Sequence, residues 1–325
     1  MITFLGKRVY QALIVMFVIS LVAFSIQDNL GDPLRELVGQ SVSEAERNVL
    51  REQMGLNDPF LVKYGRFIKD AVQGDLGTSY FYKRPVVDVI LDKLIATLEL
   101  VVAATLIIIV VSIPLGVYSA INPNSRLTKV IMGFSIVGIS IPVFLTAIML
   151  MYVFSIELNW LPSYGRGDTA NVLGWESGFF TLDGLSHLIL PSIALSSIML
   201  PLFIRLVRSE MLEALSTEYV KFARAKGLPD KQVYYQHALK NTMLPVVTVG
   251  GVQIGTMVAY TILTERVFQW PGMGFIFLEA INRVDTPLIT AYVIFVGLIF
   301  VVTNTLVDLL YGVINPTVNL TGKGA

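Results

Sequence analysis

The 325-residue chain contains no cysteine. That excludes disulfides, thiolate nucleophiles and Cys-ligated metals, and leaves the redox compartment unread. Charge is scarce as well: Asp, Glu, Lys and Arg make up 15% of residues, against about a quarter in an ordinary soluble domain. So few charges cannot cover a water-facing surface, and 24 basic residues balanced by 24 acidic ones give no pull toward nucleic acid. No phosphate-cradling G-x-x-x-x-G-K-[ST] loop is present, and the terminal "GKGA" lacks its glycine spacing. The two histidines, His187 and His237, lie far apart and outside any H-E-x-x-H context. Each reads as an interfacial or packing residue rather than a metal ligand. No nucleophile–base arrangement stands out, so a membrane enzyme such as an intramembrane protease has no candidate residues.

What is present is apolar: 54% of the chain. Runs of roughly 17–25 such residues are long enough to cross a hydrocarbon core of about 30 Å. Six stretches meet that length, at Tyr10–Ile26, Thr97–Ile121, Val130–Ile156, His187–Leu206, Met243–Thr264 and Leu288–Ile314. The expected fold is therefore all-α, a polytopic transmembrane helical bundle. The first run has a second reading as a secretory signal, since Lys7 and Arg8 precede it and Ala23-Phe24-Ser25 could offer a cleavage site. Its apolar core exceeds the roughly 7–15 residues of a signal, which favours a retained anchor.

Basic residues orient the spans. Arg126 and Lys129 sit in one short loop, and Arg208, Lys221, Arg224, Lys226, Lys231 and Lys240 in another. The segment between the third and fourth spans has only Arg166 beside Glu157, Asp168, Glu176 and Asp183. The positive-inside rule places the basic loops in the cytoplasm and the acidic one outside. Lys7 and Arg8 then put the N-terminus inside, and an even number of spans returns the C-terminus there. Residues 27–96 form an outside loop long enough to cross regardless of its charge. Within it, Ser43 and Glu46 fit a capping box ahead of "RNVLREQMG", with Gly55 placed to stop the helix. Phe60, Leu61, Tyr64, Phe67 and Ile68 then repeat at helical spacing. The expected division is 1–96, a span with an external helical subdomain, and 97–325, a membrane core containing a cytoplasmic loop at 207–242.

The stretch "RVFQWPGMGFIFLEAINRVDTP" is too interrupted by Pro271, Gly272 and Gly274 to span and too greasy to float. A re-entrant or interfacial segment fits. Charges gather at span ends, at Glu99, Arg205, Arg208, Glu265 and Asp308, and none stands at a span centre. Ion-coupled carriers place ionisable groups mid-span, so a pump of this kind would draw its energy from elsewhere. A self-sufficient carrier or channel using backbone sodium sites stays open as the alternative.

The most informative loop reads "EYVKFARAKGLPDKQVYYQHALKN", from Glu218 to Asn241. Wound as one helix from Glu210 to Lys226, it puts Glu210, Glu213, Thr217, Lys221 and Arg224 on one face. Leu212, Leu215, Tyr219, Phe222 and Ala223 fall opposite. Gly227 stands where a helix C-cap wants positive φ, and Pro229 with Asp230 suits the start of a second helix. Helix, tight turn and short helix make either an amphipathic pair on the lipid surface or a rigid knuckle for a soluble partner.

These residues resemble a known loop. "RLVRSEMLEALSTEYVKFARAKGL" followed by "HALKNTMLPVV" is similar to the ATPase-coupling loop of ABC importer permeases, in the dipeptide/oligopeptide/nickel permease family, first (B-type) subunit. Against the general importer consensus only Ala223 and Gly227 sit in register, Lys221 takes the place of the acidic residue and Pro245 is displaced; the A-R-A-K-G-L wording is the variant of this subfamily. "GDP" at Gly31–Pro33, "GDLGTS" with Arg84-Pro85-Val86, "LPSYG", "LPSIAL", "ERVFQWPGMG" and "NTLVDLLYGVINP" also match it, in order and over nearly the whole chain. The resemblance implies a type I importer fold and a bacterial or archaeal inner-membrane location. It also implies a transport subunit without catalytic residues or cofactor of its own. Its partners would be a second homologous permease, two cytoplasmic ATPases that use the ATP, an external substrate-binding protein and membrane lipid. Coupling residues carried over are Glu213, Glu218, Tyr219, Ala223, Arg224, Ala225, Lys226, Gly227 and Leu228. Such permeases pass di- and oligopeptides, nickel chelates or oligosaccharides.

Overall fold

Without water in the bilayer core, each backbone N–H and C=O must be paired inside the segment, which makes helix the default for every apolar run. The computed structural model describes residues 2–29, 44–53, 55–172 and 174–314. Its elements are α1 Ile2–Asn29, α2 Glu44–Gln53, α3 Phe60–Val72, α4 Val86–Ile121 and α5 Arg126–Ser140. Next come α6 Val143–Glu157, whose last turn is π-wound, and a hairpin of β1 Ala170–Val172 and β2 Trp175–Ser177. The chain ends with α7 Leu182–Ser216, α8 Glu218–Ala225, α9 Asp230–Val267, α10 Met273–Asn282 and α11 Thr286–Ile314. The helices overrun the apolar runs that announced them: α4 and α7 are 36 and 35 residues long.

Five of these helices are long and apolar enough to cross a membrane. The third expected span is different. Between Ser140 and Val143 the chain turns by 110°, with Ile141 extended at φ −91 and ψ 122, the region favoured by a residue that precedes proline, here Pro142. The two pieces nevertheless make one crossing. Helices α4 and α7 run parallel: Glu99 accepts a hydrogen bond from Gly178 N ahead of α7, and the Ser119 carbonyl accepts one from Arg208. The connection must therefore return along the full length of the pair. It does so antiparallel to α7, with Met132 beside Arg208, Gly138 against Pro201, and Ala147 clustered with Leu190, Ala194 and Phe268.

Small residues set how closely the helices approach, as in other membrane bundles. A side chain at Gly116 would lie 2.6 Å from Val207 Cβ, and one at Gly251 would overlap Val307. α1 lies antiparallel to α11 over its length, through Arg8–Asp308, Gly297–Ile19 and Thr290–Gln27. That packing suits an integral anchor. The order of contacts also sorts the molecule into two ends. Residues 8, 119, 208 and 308 share one end with α8; residues 27, 99, 178, 265 and 285 share the other.

At the second end the helices are bolted together. Trp270 is buried and donates its indole N–H to the Ala96 carbonyl at 2.8 Å. Glu265 accepts from Thr97 Oγ1 at 2.7 Å and from Phe275 N at 2.9 Å, placing a carboxylate at the start of α10, where the free N–H groups and helix dipole favour it. α10 is the interrupted segment expected to fold back; Met273, Ile276 and Ala280 bury it against Val86, Val89 and Ile90 of α4 and Leu288 and Tyr292 of α11. Ser79 and Phe81 N both donate to Asp285 before α11.

The residues expected as an external subdomain are less detached than that word suggests. Phe60, Tyr64 and Phe67 of α3 form an aromatic cluster with Phe24 of α1, and the Tyr64 and Ser20 hydroxyls meet at 2.9 Å. Gly55 does adopt φ +62 after α2, and Leu56 N closes the turn on the Arg51 carbonyl. Ser43 of the expected capping box lies outside the described residues. The 96/97 boundary falls within the continuous helix α4. The β-hairpin, absent from the sequence reading, hangs beside Glu99, whose carboxylate takes the Arg166 guanidinium at 2.9 Å.

Candidate coupling site

Thr217 decides the shape of the basic loop. Its backbone is extended at φ −71 and ψ 154, and its hydroxyl bonds back to the Ala214 carbonyl at 2.5 Å. The single helix expected over Glu210–Lys226 is therefore two, α7 ending at Ser216 and α8 starting at Glu218. The break resets the helical phase. Val220 and Ala223 are the buried residues of α8, packed with Val233, Leu215, Leu228 and Tyr234. Tyr219 and Phe222, placed by the continuous winding on the apolar face with Ala223, are instead 40% and 61% exposed. Local signals for the break existed: Ser216-Thr217 ahead of Glu218 is a helix-start pattern. No pattern distinguishes Val220 as the anchor, since burial there comes from Val233 across the turn.

The turn itself matches expectation. Gly227 has φ +78, Gly227 N bonds the Arg224 carbonyl at 2.9 Å, and Leu228 N bonds the Ala223 carbonyl at 3.3 Å. This is the left-handed helix stop that glycine makes without steric cost. Pro229 then precedes the first turn at Asp230. The second helix is not a separate short piece, however. It runs through a π-wound turn at Val233–Ala238 straight into the fifth span as α9. The knuckle is thus joined to α9 by continuous helix.

Of the nine residues expected to carry coupling, the structure brings most onto one small surface. Glu218 pairs with Lys221 at 2.8 Å, in full solvent, where such a pair contributes little stability. Lys226 stands 4.6 Å over the Phe222 ring and Arg224 5.9 Å from the Tyr234 ring. Tyr219, Arg224, Ala225, Lys226 and Gly227 are exposed; Ala223 is buried and Leu228 half-buried beneath them. Glu213 is exposed on the last turn of α7, across the Thr217 break. Phe222 belongs to this surface and was missed, because its apolar character pointed inward. The result is an aromatic and basic knob on a two-residue core. Elsewhere, His187 Nδ1 lies 2.9 Å from the Asp183 carbonyl. Among the described residues no group of three or more His, Asp or Glu could hold a metal ion.

Comparison with known proteins agrees with this architecture. Residues 112–320 match the family described as binding-protein-dependent transport system inner membrane component, and residues 1–101 match its N-terminal counterpart. The chain is 37% identical to the dipeptide transport system permease protein DppB of Alkalihalophilus pseudofirmus, over 98% of this chain and 99% of that one. It is 33% identical to the oligopeptide transport system permease protein AppB of Bacillus subtilis, with the same coverage. The glutathione transport system permease protein GsiC of Escherichia coli O6:H1 is likewise 33% identical, again over 98% and 99%. Among solved structures, an inward-facing MetNI methionine ABC transporter superposes with a TM-score of 0.51 at 18% identity, covering 68% of this chain and 93% of that one. The likeness is one of fold, a type I ABC importer permease. The chain is a multi-pass transport subunit rather than an enzyme, with ATP hydrolysis in a separate subunit, and it belongs to the family of binding-protein-dependent transport system inner membrane components.

Proposed function

We propose that this subunit forms half of the path by which an ATP-driven importer takes up small peptides, working with a second homologous permease, two cytoplasmic ATPases and an external binding protein. The observation that carries the reading is the knob at Tyr219–Leu228: a rigid aromatic and basic projection, wired through Gly227 into continuous α9. Relatives that match over 98% of the chain are named for dipeptide, oligopeptide and glutathione transport, which supports a peptide cargo. An ATPase seated on this knob puts its end of the molecule in the cytoplasm. Arg8 and Asp308 lie at that same end, so both termini are inside and residues 27–96 outside. The subunit binds no cofactor itself; ATP is consumed by its partners.

Because the chain lacks cysteine, single Cys substitutions test both parts. With Phe222→Cys in the assembled transporter, a short thiol crosslinker is expected to trap an ATPase subunit. No crosslink at any position from Glu213 to Leu228 would remove the docking assignment. ATP-dependent accumulation of a labelled dipeptide in vesicles supplied with the binding protein tests the cargo, and failure with every di- and tripeptide offered would reject it. An impermeant maleimide applied to intact cells should label a cysteine in 27–96 and spare one at Thr217; the reverse would invert the orientation.

A further inference from the structure

The hairpin of β1 and β2 has two unlike faces. Its register sets Asn171 against Glu176 and Val172 against Trp175, and directly opposed residues share a face. Asn171 and Glu176 are exposed and polar. Val172 and Trp175, with Phe180 just beyond β2, line a groove of about 280 Å³ together with Ile95, Leu98 and Val102 of α4. Glu99 borders this groove as well, but its carboxylate already takes the Arg166 guanidinium and Gly178 N. The groove therefore offers apolar walls and no free charge. Trp175 and Phe180 nevertheless remain 62% and 65% exposed, and two such rings at one groove mark a contact surface.

The α4 wall of the groove continues along the helix. Leu91, Ile95, Leu98, Val102, Leu106 and Ile109 fall on one face at ~100° per residue. Leu91, Val102, Leu106 and Ile109 of this stripe are 47–53% exposed. The buried side of α4 carries Ala96, Thr97, Ala103 and Ala104, the small residues through which membrane helices approach one another. The open stripe has none. Large aliphatic side chains alone suit lipid rather than another helix. Height agrees with this. At about 1.5 Å per residue along α4, Val102 stands ~26 Å and Ile95 ~36 Å from Ser119, which meets Arg208. A hydrocarbon core of about 30 Å measured from that charge ends at the groove. Aromatic rings gather at such a boundary. An open sheet edge is excluded from hydrocarbon, but at the boundary its polar side can reach water.

We propose that the hairpin is a seat for lipid. Trp175 and Phe180 rest in the outer headgroup layer, and the groove against α4 holds the upper part of an acyl chain from an outer-leaflet phospholipid. Trp175 suits the place because its ring body is apolar and its indole N–H can reach headgroup oxygens. Asn171 and Glu176 face water on the other side. The loop before α7 is thus held twice, by lipid at the hairpin and by Glu99 through Arg166 and Gly178 N. Which leaflet supplies the lipid follows from the orientation proposed above. Contact with lipid depends neither on that orientation nor on the solute carried.

Two measurements on the assembled transporter, in liposomes of phosphatidylethanolamine and phosphatidylglycerol, decide the matter. In the first, the emission of the Trp175→Phe complex is subtracted from that of the parental complex, which isolates Trp175 from every other tryptophan. This difference should lose more than half its intensity when the lipid carries bromine high on its acyl chains. It should lose less when the bromine sits near the chain ends, and little when iodide is added to the water. Quenching by iodide alone would put the hairpin in water and refute the seat. Quenching by neither reagent would mean that protein covers Trp175, which also refutes it. In the second, Phe180→Cys is alkylated with a benzophenone maleimide and irradiated. The adduct on this subunit should have the mass of a phospholipid. A crosslink to a second permease or to the binding protein would assign the groove to that partner instead, and the absence of any lipid adduct would overturn the proposal outright.

Discussion

Replacing Gly227 isolates backbone conformation from packing. At φ +78 any L side chain is strained, yet a Cβ built on Gly227 meets nothing within 4 Å, so bulk itself clashes with nothing in the subunit. The cost of the left-handed region is about 1–2 kcal/mol for an ordinary residue and is greater for a β-branched one. A residue such as Asn visits the region readily. Since 1.4 kcal/mol is a factor of ten in an equilibrium, Gly227→Val is expected to shift most of the turn population away from the geometry that seats the knob. Release from that geometry breaks the hydrogen bonds from Gly227 N to Arg224 and from Leu228 N to Ala223 and uncouples α8 from α9. Insertion depends on the apolar spans and should be unaffected. The assay is ATPase stimulation by loaded binding protein in reconstituted complex, with uptake measured alongside. The order Gly, then Asn, then Ala, then Val is expected, with Val near the unstimulated rate. A Val variant that couples at the parental rate refutes the claim that this φ sets the geometry. An Asn variant as poor as Val refutes it differently, by showing that the ATPase rejects any side chain there.

Three further outcomes follow from buried contacts. Arg166→Ala strands Glu99, which is 5% exposed in its side chain, and breaking a buried pair costs about 3–5 kcal/mol. The thermal midpoint in detergent should fall sharply and be partly restored by adding Glu99→Gln; an unchanged midpoint would mean that Glu99 is hydrated. Gly251→Leu places a side chain into Val307 and should separate α9 from α11 at a cost of about 1–3 kcal/mol, read as weaker protection of α11 in hydrogen exchange. Tyr82, just outside the first turn of α4, has its phenol pushed up to about 12, first by burial and then by the Glu279 carboxylate to which it donates. A raised folded value means that its stabilisation is present below pH ~10 and is lost as pH rises toward 12. Ultraviolet titration of the parental chain against Tyr82→Phe should show one tyrosine missing from the late part of the curve. Loss from the early part instead would contradict the burial.

Some of this protein follows from local sequence alone. Twenty apolar residues cross a bilayer whatever lies around them, so the spans were readable, as was the fold class. The positive φ at Gly227 was readable because a helix stop is chemistry of a few adjacent residues, and so was the folding back of "WPGMG", too broken to span. Proline marks where that locality ends. Pro114, Pro191, Pro201 and Pro245 all sit inside continuous helices, while Pro142 turns the chain by 110°. The ring removes the same N–H in every case; the neighbours that pack around the freed carbonyl decide whether the helix goes on. The phase of α8 has the same character, since Val220 or Tyr219 could have faced inward until Val233 arrived from across the turn. Charge is the clearest instance. Glu99, Arg205, Arg208, Glu265 and Asp308 look alike in sequence, and the partners that four of them have lie tens to hundreds of residues away, Arg166 for Glu99 and Arg8 for Asp308. Only the folded chain brings distant groups within hydrogen-bonding reach, and so only the tertiary structure shows that, of these five, Arg205 has no ion pair or hydrogen bond among the described residues.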